Sequence, residues 1–184
     1  MQLVINKENI KVLYSEEQIA ERISEISKQI TQDYKNTTTL VIVGVLKGAF
    51  LFTADLVRKL DLPCQIEFIR LSSYDGTQSS GNFKTYDLTL PDLPGKDVLI
   101  VEDIVDSGRT AKFLLDFFSH QTHVNSVKII SLFDKPSKRD PELSNIKPDY
   151  CCFTIDDKFI LGYGLDYDQK FRELPYIGYI DGLA

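Results

Sequence analysis

The residues best suited to do chemistry in this chain lie in one stretch, VLIVEDIVDSGRT, at residues 98–110. Glu102 and Asp103 directly follow four apolar residues, and Asp106 comes three residues later. Two adjacent carboxylates at the end of a buried run are costly to hold without a partner, because burial removes their hydration. We therefore expect a ligand to bind at these acids.

The residues after Asp106 predict a site for a phosphate. Residues 107–110 offer small side chains, hydroxyls and backbone N–H groups where a helix is predicted to begin, which suits an anion. The Walker A loop and the Gly-x-Gly-x-x-Gly fingerprint are both absent from the sequence. Acids beside a phosphate can accept hydrogen bonds from sugar hydroxyls or help to hold Mg²⁺, which bridges phosphates. A sugar phosphate with free vicinal hydroxyls satisfies both halves of the motif.

A purely structural interpretation of the three acids is also available. In it, Glu102 and Asp103 cap a loop and Asp106 is the N-cap of the next helix. This interpretation suits a single acid well. It suits two adjacent acids, two apolar residues and then Asp-Ser-Gly-x-Thr poorly, so ligand binding is preferred.

The elements that must position these residues alternate along the chain. Apolar segments rich in β-branched residues predict strands at residues 39–45, 66–71, 98–101, 127–133, 150–155 and 176–180. Helices are predicted to begin at a capping box formed by Ser15 and Gln18, and to cover residues 48–60 and 110–119. Strands that alternate with helices predict an α/β fold with a mostly parallel central sheet flanked by helices.

In such sheets, ligands bind beyond the carboxyl ends of the strands. The segments that follow the predicted strands are polar or glycine-rich, and they read LKGAF, SSYDGTQSSGNFK, EDIVDSGRT, DKPSKR and DDKFILGYGLDYDQKFR. We expect these five segments to meet around one crevice.

Composition limits the remaining possibilities. A length of 184 residues fits a single domain, residues 1–184, and a net charge of −6 argues against nucleic acid or a membrane as the main partner. No apolar run approaches the ~20 residues of a membrane span, and the opening residues have no signal-peptide pattern. Three cysteines without metal spacing are interpreted as core residues: Cys64, Cys151 and Cys152. The expected location is cytoplasmic.

The acidic stretch resembles the phosphoribosyl-pyrophosphate-binding motif of the type I phosphoribosyltransferases. Together with VLKGAFLF, FIRLSSYDGTQSSGNFK and DKFILGYGLDYDQKFRELPYIG, it resembles, in order and spacing, the hypoxanthine and hypoxanthine-guanine phosphoribosyltransferases. The resemblance runs from about residue 41 to residue 180. It implies the type I phosphoribosyltransferase fold, in which a small hood formed by the terminal segments covers the sheet, and a homodimer or homotetramer.

The resemblance also implies roles toward phosphoribosyl pyrophosphate (PRPP) and Mg²⁺. The residues implied to contact pyrophosphate are Leu46, Lys47, Gly48 and Arg172, and the Leu46–Lys47 peptide can be cis in the family. Glu102 and Asp103 are implied to face the ribose hydroxyls, and the residues implied to cradle the 5-phosphate are Ser107, Gly108, Arg109 and Thr110. Ile104 and Asp106 are implied to be substrate-binding residues of the same stretch. Those implied as metal ligands, directly or through water, are Glu102, Asp103 and Asp166. Ser73 and Tyr74 would belong to a mobile lid, although a plain surface loop is the alternative.

For the purine base, the resemblance implies that Asp106 acts as general base near N7, that Lys135 donates to O6, and that Phe159 stacks on the ring while the Ile160 backbone reads its edge. An ammonium only donates hydrogen bonds, so Lys135 suits an oxo group and adenine is expected to be a poor substrate. Each residue also has a structural alternative, such as a solvated lysine or a core phenylalanine. Asp166 could be a turn residue and Arg172 a surface salt bridge.

The implied reaction is purine salvage. A 6-oxopurine attacks C1 of PRPP with Mg²⁺ present, pyrophosphate leaves, and IMP or GMP forms. Arg109 stands where some members of the family have Lys, and Gly164 where Ala can occur, and both are compatible with these roles. Three alternatives stay open: an RNA-binding regulator on the same fold, a transferase for xanthine or a pyrimidine, and a structural protein.

Overall fold

The protein is described by a computed structural model that covers residues 7–73, 83–86, 93–121 and 123–182. Its strands are β1 (Lys11–Tyr14), β2 (Leu40–Leu46), β3 (Cys64–Ser73), β4 (Phe83–Tyr86), β5 (Asp97–Val105), β6 (Ser126–Asp134), β7 (Tyr150–Thr154), β8 (Ile160–Leu161) and β9 (Ile177–Tyr179). Its helices are α1 (Glu16–Asp33), α2 (Phe50–Val57) and α3 (Arg109–Gln121), with short 3₁₀ turns at Lys7–Asn9, Pro136–Lys138 and Pro141–Leu143.

Six strands form the main sheet, in the order β4-β3-β2-β5-β6-β7. β3, β2, β5, β6 and β7 run parallel, and only β4 pairs antiparallel, at the edge beside β3. The predicted α/β fold with a mostly parallel sheet is therefore confirmed. β5 lies in the middle of the sheet, where β2 and β6 both bond to it, so its carboxyl end faces the crevice predicted from the sequence.

The sheet is covered on both faces because its central strands are apolar throughout. Along β2, Leu40 and Ile42 pack with α1 and α2, while Val41 and Val43 pack with α3 on the other face. β5 alternates in the same way, which fixes the register of the two strands. Fully buried side chains at these positions anchor the carboxyl end of β5 in a rigid layer.

Helix α1 begins where the sequence predicts. The Ser15 hydroxyl accepts a hydrogen bond from the Gln18 N–H, and the Gln18 side chain accepts one from the Ser15 N–H, which completes the capping box. The four isoleucines at helical spacing all turn toward the sheet: Ile19, Ile23, Ile26 and Ile30.

A second, three-stranded antiparallel sheet has the order β1-β9-β8. It joins one strand near the start of the chain to two near the end, with Lys11 opposite Tyr179 and Tyr179 opposite Ile160. A small apolar cluster packs around this sheet, and its buried members are Ile10, Leu161, Leu174 and Ile180. This is the hood expected from terminal segments, and that expectation is confirmed.

The sequence predictions differ from the structure mainly at element ends. β5 continues through Val105, four residues beyond the predicted strand, because β6 pairs with it as far as Asp134. Strands β1, β4 and β8 were not predicted, since each has two to four residues and too few apolar positions to show a period. Within the described ranges, no helix is long and apolar enough to cross a membrane.

Candidate active site

The site is built where β2, β5 and β6 end. The N–H of Lys135, one residue past β6, donates to the carbonyl of Val105 at the end of β5 over 2.9 Å. The segments after the two strands therefore leave the sheet side by side, as the parallel topology requires.

Glu102 and Asp103 do not follow β5, as the sequence suggested, but lie inside it. Glu102 pairs with Ser131 of β6, and its side chain is 3 % exposed. Its Oε1 is buried and has no hydrogen-bond partner among the described residues. Burial, and then the nearby charges of Asp103 and Asp106, raise the pKa of Glu102 well above its usual value.

Asp103 is half-buried, and the cost of its charge is partly compensated. Burial raises its pKa to about 6, while a 2.8 Å hydrogen bond from the Ile104 N–H to Oδ1 and the charge of Arg172 act in the opposite direction. A protein that keeps two adjacent acids in a buried strand holds charge that a cation or several hydrogen-bond donors would stabilise. The expectation of a ligand at this point rests on that cost.

We predict that the free energy of unfolding of the substrate-free protein falls as pH rises from about 4 to about 6, through Asp103. Its pKa is 3.8 in the unfolded chain and about 6 when folded, so within this window the native state holds a proton that the unfolded state has released. The associated loss is roughly 2–3 kcal/mol. Urea unfolding across this range, with Asp103→Asn as the comparison, measures it. Identical pH profiles for the two proteins would contradict the assignment.

The loop after β5 turns sharply into α3. Gly108 has φ +84°, and the Lys112 N–H donates to its carbonyl over 2.9 Å, which closes the first turn of the helix. Asp106 is exposed, and its Oδ1 accepts a hydrogen bond from the Ser107 N–H at 2.5 Å. The structure thus places residues 106–110 at the N-terminus of a 13-residue helix, the position suited to an anion.

Arg139, which the sequence did not single out, holds the loop after β5 in position. Arg139 donates to the backbone carbonyl of Asp106 and forms a buried ion pair with Asp134. Its aliphatic stem lies beneath Gly108, where a Cβ would be 2.9 Å from Arg139 Cδ. Nothing in the sequence distinguishes Arg139 from the other cations of DKPSKR, because its role depends on burial.

Lys135 is buried, with 9 % of its surface exposed. Its ammonium donates to the carbonyl of Lys158 at 2.5 Å, the residue before Phe159. Burial lowers the pKa of Lys135, while the carboxylates of Asp157 and Asp106 act to raise it. The structure thus brings Lys135 close to the aromatic segment, and its solvated alternative is wrong.

The loop after β2 lies directly against the acids. The Leu46–Lys47 peptide is cis, as the resemblance allowed. A Cβ at Gly48 would overlap the Asp103 carboxylate, and a Cβ at Gly164 would overlap the Gly48 carbonyl. Gly164 also has φ +99°, so two backbones and a carboxylate stack here without space for a side chain.

Asp166 and Arg172 form an ion pair of 2.6 Å, and the Arg172 guanidinium also donates to the Gly164 carbonyl at 2.7 Å. Asp166 Oδ2 accepts from the Gln169 N–H at 2.8 Å. The Lys47 ammonium in turn donates to the side-chain Oε1 of Gln169 at 3.1 Å. The segment after β8 therefore joins the loop after β2, and Gln169, which the sequence did not indicate, links them.

Phe159 and Ile160 lie at the edge of the hood. Ile160 is buried in β8, and the half-buried Phe159 ring meets Tyr167 edge to face, with ring centroids 5.7 Å apart. Ser73 is the last residue of β3, with its backbone paired to Phe83. Tyr74 and the rest of the predicted lid, residues 74–82, lie outside the described residues.

The sheet, the acids of β5 and the anion loop at the start of α3 define a phosphoribosyltransferase. A family model described as phosphoribosyl transferase domain matches residues 9–168. A curated hypoxanthine-guanine phosphoribosyltransferase from Streptococcus agalactiae is 45 % identical over 169 residues, which are 91 % of each chain. The chain belongs to the hypoxanthine-guanine phosphoribosyltransferase family.

Solved structures agree with this assignment. A hypoxanthine phosphoribosyltransferase from Staphylococcus aureus superposes with a TM-score of 0.87 at 38 % identity, over 94 % of this chain and 92 % of that one. A hypoxanthine-guanine phosphoribosyltransferase from Bacillus anthracis, solved with a HEPES molecule in the active site, gives a TM-score of 0.85 at 39 % identity, over 92 % and 98 %.

Proposed function

We propose that this enzyme transfers the 5-phosphoribosyl group from PRPP to hypoxanthine and guanine, which yields IMP or GMP and pyrophosphate. One observation carries the proposal: Asp103, which follows the buried Glu102 in β5, lies against Gly48 and within reach of the charge of Arg172. Cations beside acids suit a ligand that has both phosphates and hydroxyls. The alternatives of a structural protein and of an RNA regulator have no comparable observation in their favour.

PRPP would lie with its 5-phosphate on residues 107–110 and its pyrophosphate between Lys47 and Arg172. The ribose hydroxyls would then meet Glu102 and Asp103, which accept hydrogen bonds. As the bond from C1 to pyrophosphate breaks, positive charge grows on the sugar and negative charge on the leaving group. Lys47, Arg172 and the backbone of Gly48 would stabilise that negative charge, and Glu102 and Asp103 would stabilise the positive charge.

The side-chain oxygens of the described residues suit a Mg²⁺ ion that keeps part of its water shell. No three His, Cys, Asp or Glu side chains in the described part of the chain form a metal-binding group. Mg²⁺ usually retains waters and shares phosphate oxygens, so it does not require such a cage. The unpartnered Glu102 Oε1, with Asp103 and Asp166, supplies the oxygen atoms that would hold the ion or its waters. When bound, Mg²⁺ would neutralise charge on pyrophosphate.

The base would lie between the hood and the loop after β6. Phe159 offers a ring face for stacking, Lys135 a donor for O6, and Asp106 a carboxylate to take a proton at N7. A purine with an amino group at position 6 would offer the Lys135 ammonium no acceptor at that position. This supports selection of 6-oxopurines over adenine.

The same proposal covers partners and location. PRPP, the base and the nucleotide are small molecules, and no role for nucleic acid or a membrane is proposed. We propose a single phosphoribosyltransferase domain over residues 1–184, assembled as a homodimer or homotetramer in the cytoplasm.

The test is a spectrophotometric assay with PRPP and Mg²⁺, with hypoxanthine, guanine, xanthine and adenine offered separately, and each repeated with a chelator. We expect nucleotide from hypoxanthine and guanine, little from adenine, and loss of turnover on chelation. Turnover of adenine at the rate of hypoxanthine would refute the role of Lys135. Absence of turnover with all four bases would refute the proposed function.

A further inference from the structure

We propose that Gln169 controls the affinity for pyrophosphate by competing with it for the cations of the site. The inference rests on the proposed function, because it takes Lys47 and Arg172 as ligands of the leaving group. It assigns to Gln169 a positioning role in pyrophosphate capture and release.

The carboxamide of Gln169 is held in one orientation. Its Nε2 lies 3.4 Å from Asp166 Oδ2, and its backbone N–H donates to the same oxygen at 2.8 Å. Its Oε1 accepts from Lys47 Nζ at 3.1 Å and faces Arg172 Nη2 at 3.5 Å. The reverse orientation would set the amide NH₂ against two cations and its oxygen against a carboxylate, so this one is favoured.

The position of Oε1 is therefore that of an anion oxygen between two cationic donors. Lys47 comes from the loop after β2, and Arg172 from the segment before β9, so this one oxygen joins two parts of the chain. Because Gln169 is neutral, it satisfies the two cations without cancelling their charge. An incoming pyrophosphate would replace a weak, neutral acceptor with a charged one.

Gln169 itself is exposed, with φ +62°, and its hydrogen bond to Lys47 lies at the surface. Movement of this side chain therefore does not disturb the core. The Asp166–Arg172 ion pair stays in place without it, since that pair is a direct contact of 2.6 Å.

The competition predicts that two substitutions of Gln169 shift the dissociation constant for pyrophosphate in opposite directions. In Gln169→Glu, a carboxylate would pair with Lys47, and the dissociation constant for pyrophosphate is expected to rise about tenfold. In Gln169→Ala, the competitor is gone, and the constant is expected to fall by roughly threefold. A role limited to supporting the loop would weaken binding in both variants.

The measurement is isothermal titration calorimetry of inorganic pyrophosphate, with Mg²⁺, into the full chain and both variants. Lys170→Gln is the matched control, because it changes the net charge by the same amount as Gln169→Glu at the neighbouring exposed residue. The control is expected to bind like the unsubstituted protein. Shifts in the same direction for both Gln169 variants, or no shift in either, would overturn the inference.

The same titrations separate this inference from the proposed function. If the unsubstituted chain turns over PRPP and binds pyrophosphate but the two variants do not shift in opposite directions, only the role of Gln169 fails. If the unsubstituted chain neither binds pyrophosphate nor turns over PRPP, the proposed function fails and the role of Gln169 fails with it.

Discussion

Replacing Asp106 with asparagine is expected to lower kcat by about 10²–10⁴-fold, the range that a positioned general base contributes. Asparagine keeps the size of the side chain and an oxygen that can accept from the Ser107 N–H, so the loop before α3 retains its shape. It cannot take a proton from the purine. Because the phosphate contacts are proposed to lie elsewhere in the loop, the KM for PRPP is expected to change little.

Steady-state kinetics with hypoxanthine and PRPP, each varied at saturation of the other, would separate these two effects. Asp116→Asn provides the matched control, since it makes the same chemical change on α3, where Asp116 forms an exposed ion pair with Lys112 one turn away. Turnover in Asp106→Asn equal to that of the control would show that another group removes the proton.

Replacing Lys135 with alanine is expected to lower kcat/KM for hypoxanthine by roughly a hundredfold or more, through loss of a charged donor to O6. The ammonium is buried at the end of β6 and already donates to the carbonyl of Lys158, so it is aimed at the segment that carries Phe159. The KM for PRPP is expected to stay within a few-fold of its original value, because the lysine is assigned to the base alone.

Lys138→Ala is the natural control for this experiment. Lys138 lies three residues further along the same loop, is half exposed and pairs with Asp157. Discrimination between hypoxanthine and adenine is the decisive quantity, and it is expected to shrink only in Lys135→Ala. Equal losses for hypoxanthine and for PRPP would remove Lys135 from base recognition.

The central fold was predictable because its signals are local and repeated. β2 and β5 are apolar on both faces, which is typical of parallel strands between two helical layers, and α1 carries its own capping box and isoleucine period. The ends of the elements were less predictable. Glu102 was assigned beyond β5 on account of its charge, but backbone pairing with Ser131 of β6 extends the strand past it.

The site was predictable in its composition and less so in its contacts. The acids and Lys135 stand beside strand ends, so the topology alone brings them together. Arg139 and Gln169 act through burial or through contacts with residues far away in sequence, as when Gln169 reaches Lys47. No spacing rule in a single sequence indicates such contacts, so both residues became apparent only in three dimensions.

The pairing of β1 with β9 has a consequence for the order in which the parts of the fold can form during synthesis. Lys11 is synthesised well before its strand partner, Tyr179. The Gly48 carbonyl likewise packs closely against Gly164, which is synthesised much later. The five parallel strands are all synthesised by Thr154, so a nascent chain can pair them before the segment that carries Gly164 and Arg172 is made. The contact between Gly48 and Gly164 therefore forms later than the parallel sheet can, and a chain truncated after Thr154 is expected to hold the sheet without this contact.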